Sequence, residues 1–202
     1  WQRACAALAQ ERADIDAAIA AAGAGSAETV EAWDWRYWAE KARHARCALD
    51  DAELKPFFAL PAMVDAAFDC ARRLFGITFV VRPDLGAYHA DVEVYEVRDA
   101  GGDAIGLFLH DNHARTGKRS GAWMSALRVQ HRNGRRGLPV VLNNNNFARS
   151  AAGEPTLLSA DDVRTLFHEF GHALHGLLSD VGYQRLSGTA VLRDFVELPS
   201  QL

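Results

Sequence analysis

Cysteine is scarce in this sequence, and long apolar runs are missing. Three cysteines, Cys5, Cys47 and Cys70, are scattered over 202 residues without a C-x-x-C pair. An odd, dispersed count argues against a disulfide framework and for reduced thiols in a cytoplasmic setting. The three are expected to act as small core hydrophobes on helices. No apolar run approaches the roughly 18 residues of a membrane span, and no charged-then-apolar leader opens the chain. Excess positive charge is missing too. A formal charge of −4 leaves no electrostatic footprint for nucleic acid, and no basic stripe is long enough to suggest a membrane surface. The short basic cluster Arg115–Arg119 is expected to be a solvated loop.

What is present is the composition of a globular protein, 49% apolar and 24% charged, long enough for one large domain or two small ones. The chain opens at Trp1 inside an evident helix and without methionine, which is expected of a segment excised from a longer chain. Residues 1–76 read as helical. An alanine-rich helix with Leu8, Ile15 and Ile19 runs from Trp1 to about Ala22 and stops at Gly23–Ser26. A second starts at Asp34 as N-cap and runs to about Leu49, with Trp33, Trp35, Tyr37 and Trp38 as packing. Pro61 introduces a third, with Met63, Ala67, Cys70 and Leu74 on one face and Gly76 as its stop.

The period then changes, and residues 77–147 read as a small sheet. ITFVV from Ile77, DVEVYEVR from Asp91 and AIGLFL from Ala104 are β-branched or alternating. The loop Asp99–Asp103 joins the last two as a hairpin. Gly121–Met124 follows, then a turn at Asn133-Gly134 and a strand from Leu138 to Asn143. The run Asn143–Asn146 is expected as strand end plus turn. Residues 159–202 return to helix, opened by a capping box of Ser159 and Asp162 and running to about Ser179. The order of elements predicts an α+β fold, mainly helical, with a small, mostly antiparallel sheet beside the last helix.

That helix carries TLFHEFGHALHG. His168 and His172, at i and i+4, lie one above the other on one face and can reach a single zinc ion. Glu169, about 100° around the helix, can reach a water on that metal. This is H-E-x-x-H, with the glutamate as general base. A catalytic zinc takes three protein ligands and keeps one position open, lowering the pKa of its water to about 7. A longer zincin motif with a third histidine fails, because His175 and Leu178 stand where it needs glycine and histidine. His175 lies about 10 Å along the helix from His168, so a structural or outer role is expected of it. The third ligand must be an acid from another element. Asp194 can cap a new helix from whose first turn Glu197 projects. Asp180 and Asp194 compete, the first too close to the helix end and the second needed as the cap.

These residues, with LSGT from Leu186 and RDFVELPSQ from Arg193, resemble the thimet oligopeptidase family of zinc metallopeptidases, in its dipeptidyl carboxypeptidase and oligopeptidase A branches. WDWRYWAEK from Trp33, ELKPFF from Glu53, VYEVRD from Val94 and KRSGAWM from Lys118 follow the same pattern. The resemblance implies one zinc ion on His168, His172 and Glu197, with Glu169 as catalytic base, acting on short peptides in a channel between two helical halves. By analogy with other zincins, Gly121 and Ala122 would line the cleft and let an extended peptide approach closely. The resemblance also implies a longer chain, with oxyanion-stabilising tyrosines and histidine beyond Leu202. The expectation is then a weakly active or inactive segment that self-associates through the surface left by its missing remainder. The competing reading is a non-catalytic helical module with a structural or vestigial metal site. Structural zinc sites usually close all four positions with Cys and His, and no cysteine lies near His168.

Overall fold

The computed structural model describes residues 1–23, 30–47, 51–151 and 153–201, the side chains of 51 and 52 excepted. Part of the expected stop at Gly23–Ser26 and the expected helix end at Leu49 therefore lie outside the described residues. Two compact units are present, Trp1–Leu54 and Lys55–Leu202. The first holds α1 (Gln2–Ala21), α2 (Trp35–Cys47) and the short α3 (Asp51–Leu54). Ile15 and Ile19, four apart on α1, are its buried pair. The aromatic cluster beside α2 is only partly packed. Trp38 meets Tyr37 edge-on at 5.1 Å, while Trp33 and Tyr37 are largely exposed.

The second unit begins with a 3₁₀ turn at Lys55–Phe57, followed by α4 (Leu60–Phe75). Pro61 sits in the first turn, where its missing N–H costs nothing. Gly76 ends the helix with φ at 70°, donating its N–H to the Arg72 carbonyl at 2.9 Å. The buried stripe is Leu60, Val64, Ala67 and Ala71, one position round from the expected face. Cys70 and Leu74 are exposed, and all three cysteines are free and exposed instead of buried. The sheet partners come from strands whose inward residues meet that other stripe, a fact that periodicity within one helix does not contain.

Five strands follow: β1 (Thr78–Val81), β2 (Val92–Arg98), β3 (Ala104–His113), β4 (Trp123–Arg128) and β5 (Val140–Phe147). Their order is β1-β2-β3-β5-β4, with β3 and β5 parallel and the other three pairs antiparallel. The fold is α+β and the sheet mostly antiparallel. On one face Val97, Phe108, Val141 and Phe147 meet α4 and the final helix α5 (Ala160–Leu177). Phe68 stacks on Phe79 at 4.0 Å, and Phe170 of α5 meets Phe108 edge-on at 5.7 Å. The second face carries a smaller cluster of Val92, Val94, Leu109 and Leu142.

Two expectations fail at the sheet's polar end, for one reason. Asn143–Asn146 is not a turn but the continuation of β5, with Asn143 and Asn145 fully buried. β3 likewise runs four residues beyond Leu109, and Asn145 Nδ2 donates to Asn112 Oδ1 across the strands at 2.9 Å. Hydrogen bonding between side chains replaces apolar contact here, so the alternating pattern that marks a strand is absent. The basic cluster is not a solvated loop either. Lys118 is 4% exposed and Asp111 1% exposed at the side chain, and Lys118 Nζ donates to Asp111 Oδ1 at 2.9 Å. Arg115 grips both oxygens of the same carboxylate at 2.6 and 2.8 Å, and the Tyr88 hydroxyl donates to it at 2.6 Å.

Burial alone would raise the Asp111 carboxyl, but the bonds from Arg115, Tyr88 and Lys118 outweigh it and hold the group well below the usual carboxylate range. Tyr88, exposed over much of its ring but with its hydroxyl partly desolvated and donating to Asp111, is pushed up to about 12. A carboxylate whose folded pKa is depressed stabilises the fold above its unfolded pKa, and that contribution is lost as pH falls through the folded pKa. Asp111→Asn leaves Lys118 buried without its counter-charge and is expected to cost about 3–5 kcal/mol at neutral pH. Denaturant unfolding should show the gap between wild type and variant narrowing progressively below about pH 4. A gap independent of pH would remove the ion pairs as its cause.

Candidate metal centre

Helix α5 is placed by its own ends. The Ser159 hydroxyl accepts from the Asp162 N–H at 3.1 Å, and the Ser159 N–H donates to Asp162 Oδ2 at 3.0 Å, the reciprocal capping box expected at this point. Leu166, Phe170, Ala173 and Leu177 bury one stripe against the sheet. His168 and His172 fall on the adjoining face, half-buried, with ring centroids 4.9 Å apart and planes at 89°. Glu169 points inward instead, 7% exposed.

Three glycines decide how close other elements come to this helix. A Cβ on Gly171 would collide with the Pro199 carbonyl oxygen and stand 2.7 Å from the Ser200 Cα. A Cβ on Gly176 would stand 2.8 Å from the Met124 Cε, and one on Gly188 3.1 Å from the Gly176 Cα. Gly188 also has φ at 56°, and its N–H donates to the Ser179 hydroxyl at 2.6 Å. Each interior helix glycine costs about 1 kcal/mol relative to alanine. Here the small residue is what admits the returning chain.

That chain leaves α5, makes a 3₁₀ turn at Gln184–Leu186, crosses at Gly188 and comes back over Gly171. Residues 193–200 are a run of turns, not the helix expected from Asp194. Phe195 and Val196 donate their N–H groups to the Leu192 carbonyl, and Leu198 donates to the Phe195 carbonyl. Pro199 has no N–H with which to extend a helix, and one turn alone does not offset the cost of nucleation. The turns nonetheless carry Glu197 to the histidines. Its Oε2 lies 3.3 Å from His168 Nε2 and 3.2 Å from His172 Nε2. Among the described residues this is the one group of three such side chains whose ligand atoms lie together, all within 4.8 Å.

The two distances to Glu197 are compatible with ligands of one metal as well as with an ion pair. Ligand atoms 2.0–2.1 Å from a tetrahedral zinc stand about 3.3 Å apart. Charge-assisted N–H···O contacts usually close to about 2.7–2.9 Å. Two imidazoles and one carboxylate also form the donor set of a three-ligand zinc site. Ser200 Oγ donates to Glu197 Oε2 at 2.8 Å, and this bond, aided by the two histidines, holds Glu197 below the usual carboxylate range. Burial lowers His172, opposed by Glu197, and so favours the neutral ring that a metal requires. Burial raises Glu169, with the Met124 backbone N–H aimed at its carboxylate as a partial offset.

The remaining residues from the sequence reading fall outside this cluster. His175 packs its ring against Phe195 at 6.2 Å, and Asp180 pairs with Arg132 at 3.2 Å. Asp194 is exposed. Gly121 and Ala122 lead into β4, the edge strand of the sheet, and Gly121 has φ at 90° with open space where a Cβ would stand. Its glycine answers a backbone requirement as well as leaving room. Ser200, Gly171 and the Met124 N–H were not singled out from sequence. The two residues lay inside the quoted motifs, but only the crossing of segments shows what they do.

An H-E-x-x-H helix under a mixed sheet, met by a downstream glutamate, defines the class of site. The comparisons define the family. Residues 2–202 match Peptidase family M3. Dipeptidyl carboxypeptidase of Salmonella typhimurium is 49% identical over 175 residues, covering 86% of this chain and 26% of the relative. The Escherichia coli protein of the same name is 47% identical over 175 residues, with the same coverage. Oligopeptidase A of Escherichia coli is 38% identical over 177 residues, again 86% and 26%. The chain belongs to Peptidase family M3. It spans about a quarter of the length of these curated relatives.

Gly171→Ala separates helix stability from the site. The substitution favours α5 by about 1 kcal/mol of propensity, yet it pushes Pro199 and Ser200 away. Zinc affinity, read by chelator competition, is expected to fall at least about tenfold while α5 stays folded by circular dichroism. Unchanged affinity would mean that Glu197 does not hold the ion.

Proposed function

We propose that the chain carries the metal centre of a zinc-dependent peptidase that hydrolyses peptide bonds in short oligopeptides. His168, His172 and Glu197 would hold one zinc ion, and Glu169 would act as general base. The observation that carries this reading is one Glu197 oxygen lying 3.2–3.3 Å from two imidazole nitrogens, beside a buried glutamate. The names of the relatives, dipeptidyl carboxypeptidase and oligopeptidase A, support peptide substrates.

A zinc ion held there supplies Lewis acidity, polarising a peptide carbonyl and acidifying a water. The residues do the rest. Ser200 fixes the carboxylate of Glu197, and the sheet-backed helix fixes the two rings. Glu169 accepts the proton of the attacking water on its carboxylate and delivers it to the nitrogen of the leaving amine. Burial raises its pKa toward the working range, which suits a group that must both take and give a proton. The Met124 N–H is directed toward that carboxylate from the start of β4. An extended peptide lying along the free edge of β4, entered through Gly121 and Ala122, would bring its backbone to the same place.

The competing reading, a structural or vestigial site, lacks a fourth ligand. Among the described residues no cysteine, histidine or carboxylate joins the three.

Glu169→Gln decides between the two. It is expected to keep stoichiometric zinc while the weak hydrolysis of a short peptide expected of this segment falls by about 10²–10⁴-fold. His172→Ala and Glu197→Ala are expected to lose the zinc itself. Hydrolysis at the wild-type rate by the zinc-loaded Glu169→Gln variant would exclude Glu169 as the base.

A further inference from the structure

The loop 114–122 between β3 and β4 is tied down far more heavily than a surface loop requires. Lys118, buried, donates to the carbonyls of Asp111 and His113 at 3.0 Å each, to the Asn145 carbonyl and to the Asp111 carboxylate. An ammonium has three protons and here meets four acceptors, so its bonding capacity is full. A second tie acts from the next strand. Asn146 Nδ2 donates to the Arg119 carbonyl at 2.8 Å and to the Gly121 carbonyl at 2.6 Å. One amide thus spans the last three residues before the chain turns, at positive φ, into β4.

β4 needs this. It lies at the edge of the sheet and has β5 as its one neighbour, with Trp123 opposite Asn144 and Met124 opposite Asn143. The ladder shifts register between Ala126 and Arg128, so the pairing of Arg128 at its far end does not by itself fix the register at its start. Where the strand starts is therefore set by the loop. Met124, whose N–H faces the Glu169 carboxylate, is three residues from the Gly121 carbonyl that Asn146 holds.

We propose that Asn146 is a positioning residue for peptide binding. With buried Lys118 behind it, its amide fixes the start of β4, and hence the place of a peptide backbone against that edge relative to Glu169. This inference rests on the reading of β4 as the peptide-accepting strand. Asn146 is also the one member of the asparagine run that is not buried, so it can be changed with least disturbance to the core.

The test is Asn146→Asp in the zinc-loaded protein, an isosteric change that replaces the donor with a charge facing two carbonyls. Asn146→Ala serves as the variant without that repulsion. The expected result has three parts. Amide exchange across Trp123–Arg128 accelerates by about tenfold or more while that of α5 and β2 does not change. Zinc affinity stays within about twofold. KM for a short fluorogenic peptide rises about tenfold with kcat within about threefold. Unchanged exchange in β4 overturns the proposal, as does acceleration spread over the whole sheet, which would mean a structural role only. A fall in kcat at constant KM also overturns it, since the defect would then lie in the chemistry. If the wild-type chain binds zinc but cleaves no peptide, as expected of a weakly active or inactive segment, the dissociation constant of a bound peptide replaces KM. Unchanged peptide affinity or unchanged exchange in β4 then overturns the role of Asn146. A wild-type chain that binds no zinc would instead remove the proposed function.

Discussion

The structure depends on how closely a second piece of chain can lie on α5. Two histidines on one helix can be read as neighbours from their spacing, but a third ligand for a metal would have to arrive from elsewhere without disturbing them. Gly171 supplies the space directly between them, and Gly176 with Gly188 supply it one to two turns further on. Any side chain at the first position would strike backbone, which cannot swing aside as a long side chain can. The cost is helix propensity, about 1 kcal/mol per glycine, and α5 meets it with a complete capping box and an unbroken apolar stripe against the sheet. Helix stability is thus concentrated at the N-terminus and on the sheet side, and the weak positions are confined to the face where other segments cross.

The same crossing separates the electrostatic roles of two carboxylates. Glu169 points into the protein, and burial raises its pKa. Glu197 stands outside, and Ser200 with the two histidines lowers its pKa. One side chain is thereby kept ready for a proton and the other kept charged, a division set by environment alone. Ser200 follows Glu197 by three residues in a tight run of turns, so the group that orients the carboxylate travels with it. A longer helix at this point would have directed residue 200 much as i+3 neighbours are directed on any helix, and the turns achieve the same juxtaposition in less chain.

Much of this was legible in the sequence where one short-range rule governs. The capping box, the i,i+4 histidines, the strand alternation of DVEVYEVR and the Gly76 stop depend on neighbours within a few residues. Glu197 was reached by exclusion among the downstream acids, and the structure brings it to the histidines. Failures occurred where distant residues decide. Lys118 reads as solvated until Asp111 is placed beneath it, and the asparagine run reads as a turn until Asn112 of β3 is set beside Asn145. The α4 stripe was displaced by one position because Cys70 and Leu74 are as apolar as the residues that are buried. The helix expected after Asp194 gave way to turns because a cap and one turn of helix do not outweigh Pro199.

The polar end of the sheet explains why buried charge is tolerated so near an apolar core. Asp111 lies on the face away from α5, at the C-terminal end of β3, while His110, Asn112, Asn143 and Asn145 lie on the α5 side. His110 is fully enclosed and its pKa is pushed down to about 3, so it adds no charge to that side. The positive groups of Arg115 and Lys118 are thus separated from the His168, His172 and Glu197 cluster by a layer of neutral polar side chains, of which Asn145 and Asn112 are hydrogen-bonded to one another. A cation close to His168 and His172 would oppose a bound divalent ion. Placing the ionic knot on the opposite face lets the β3–β4 loop be held rigidly by charge, while the side that meets α5 is left to neutral amides, imidazoles and the acids that a metal would draw toward it.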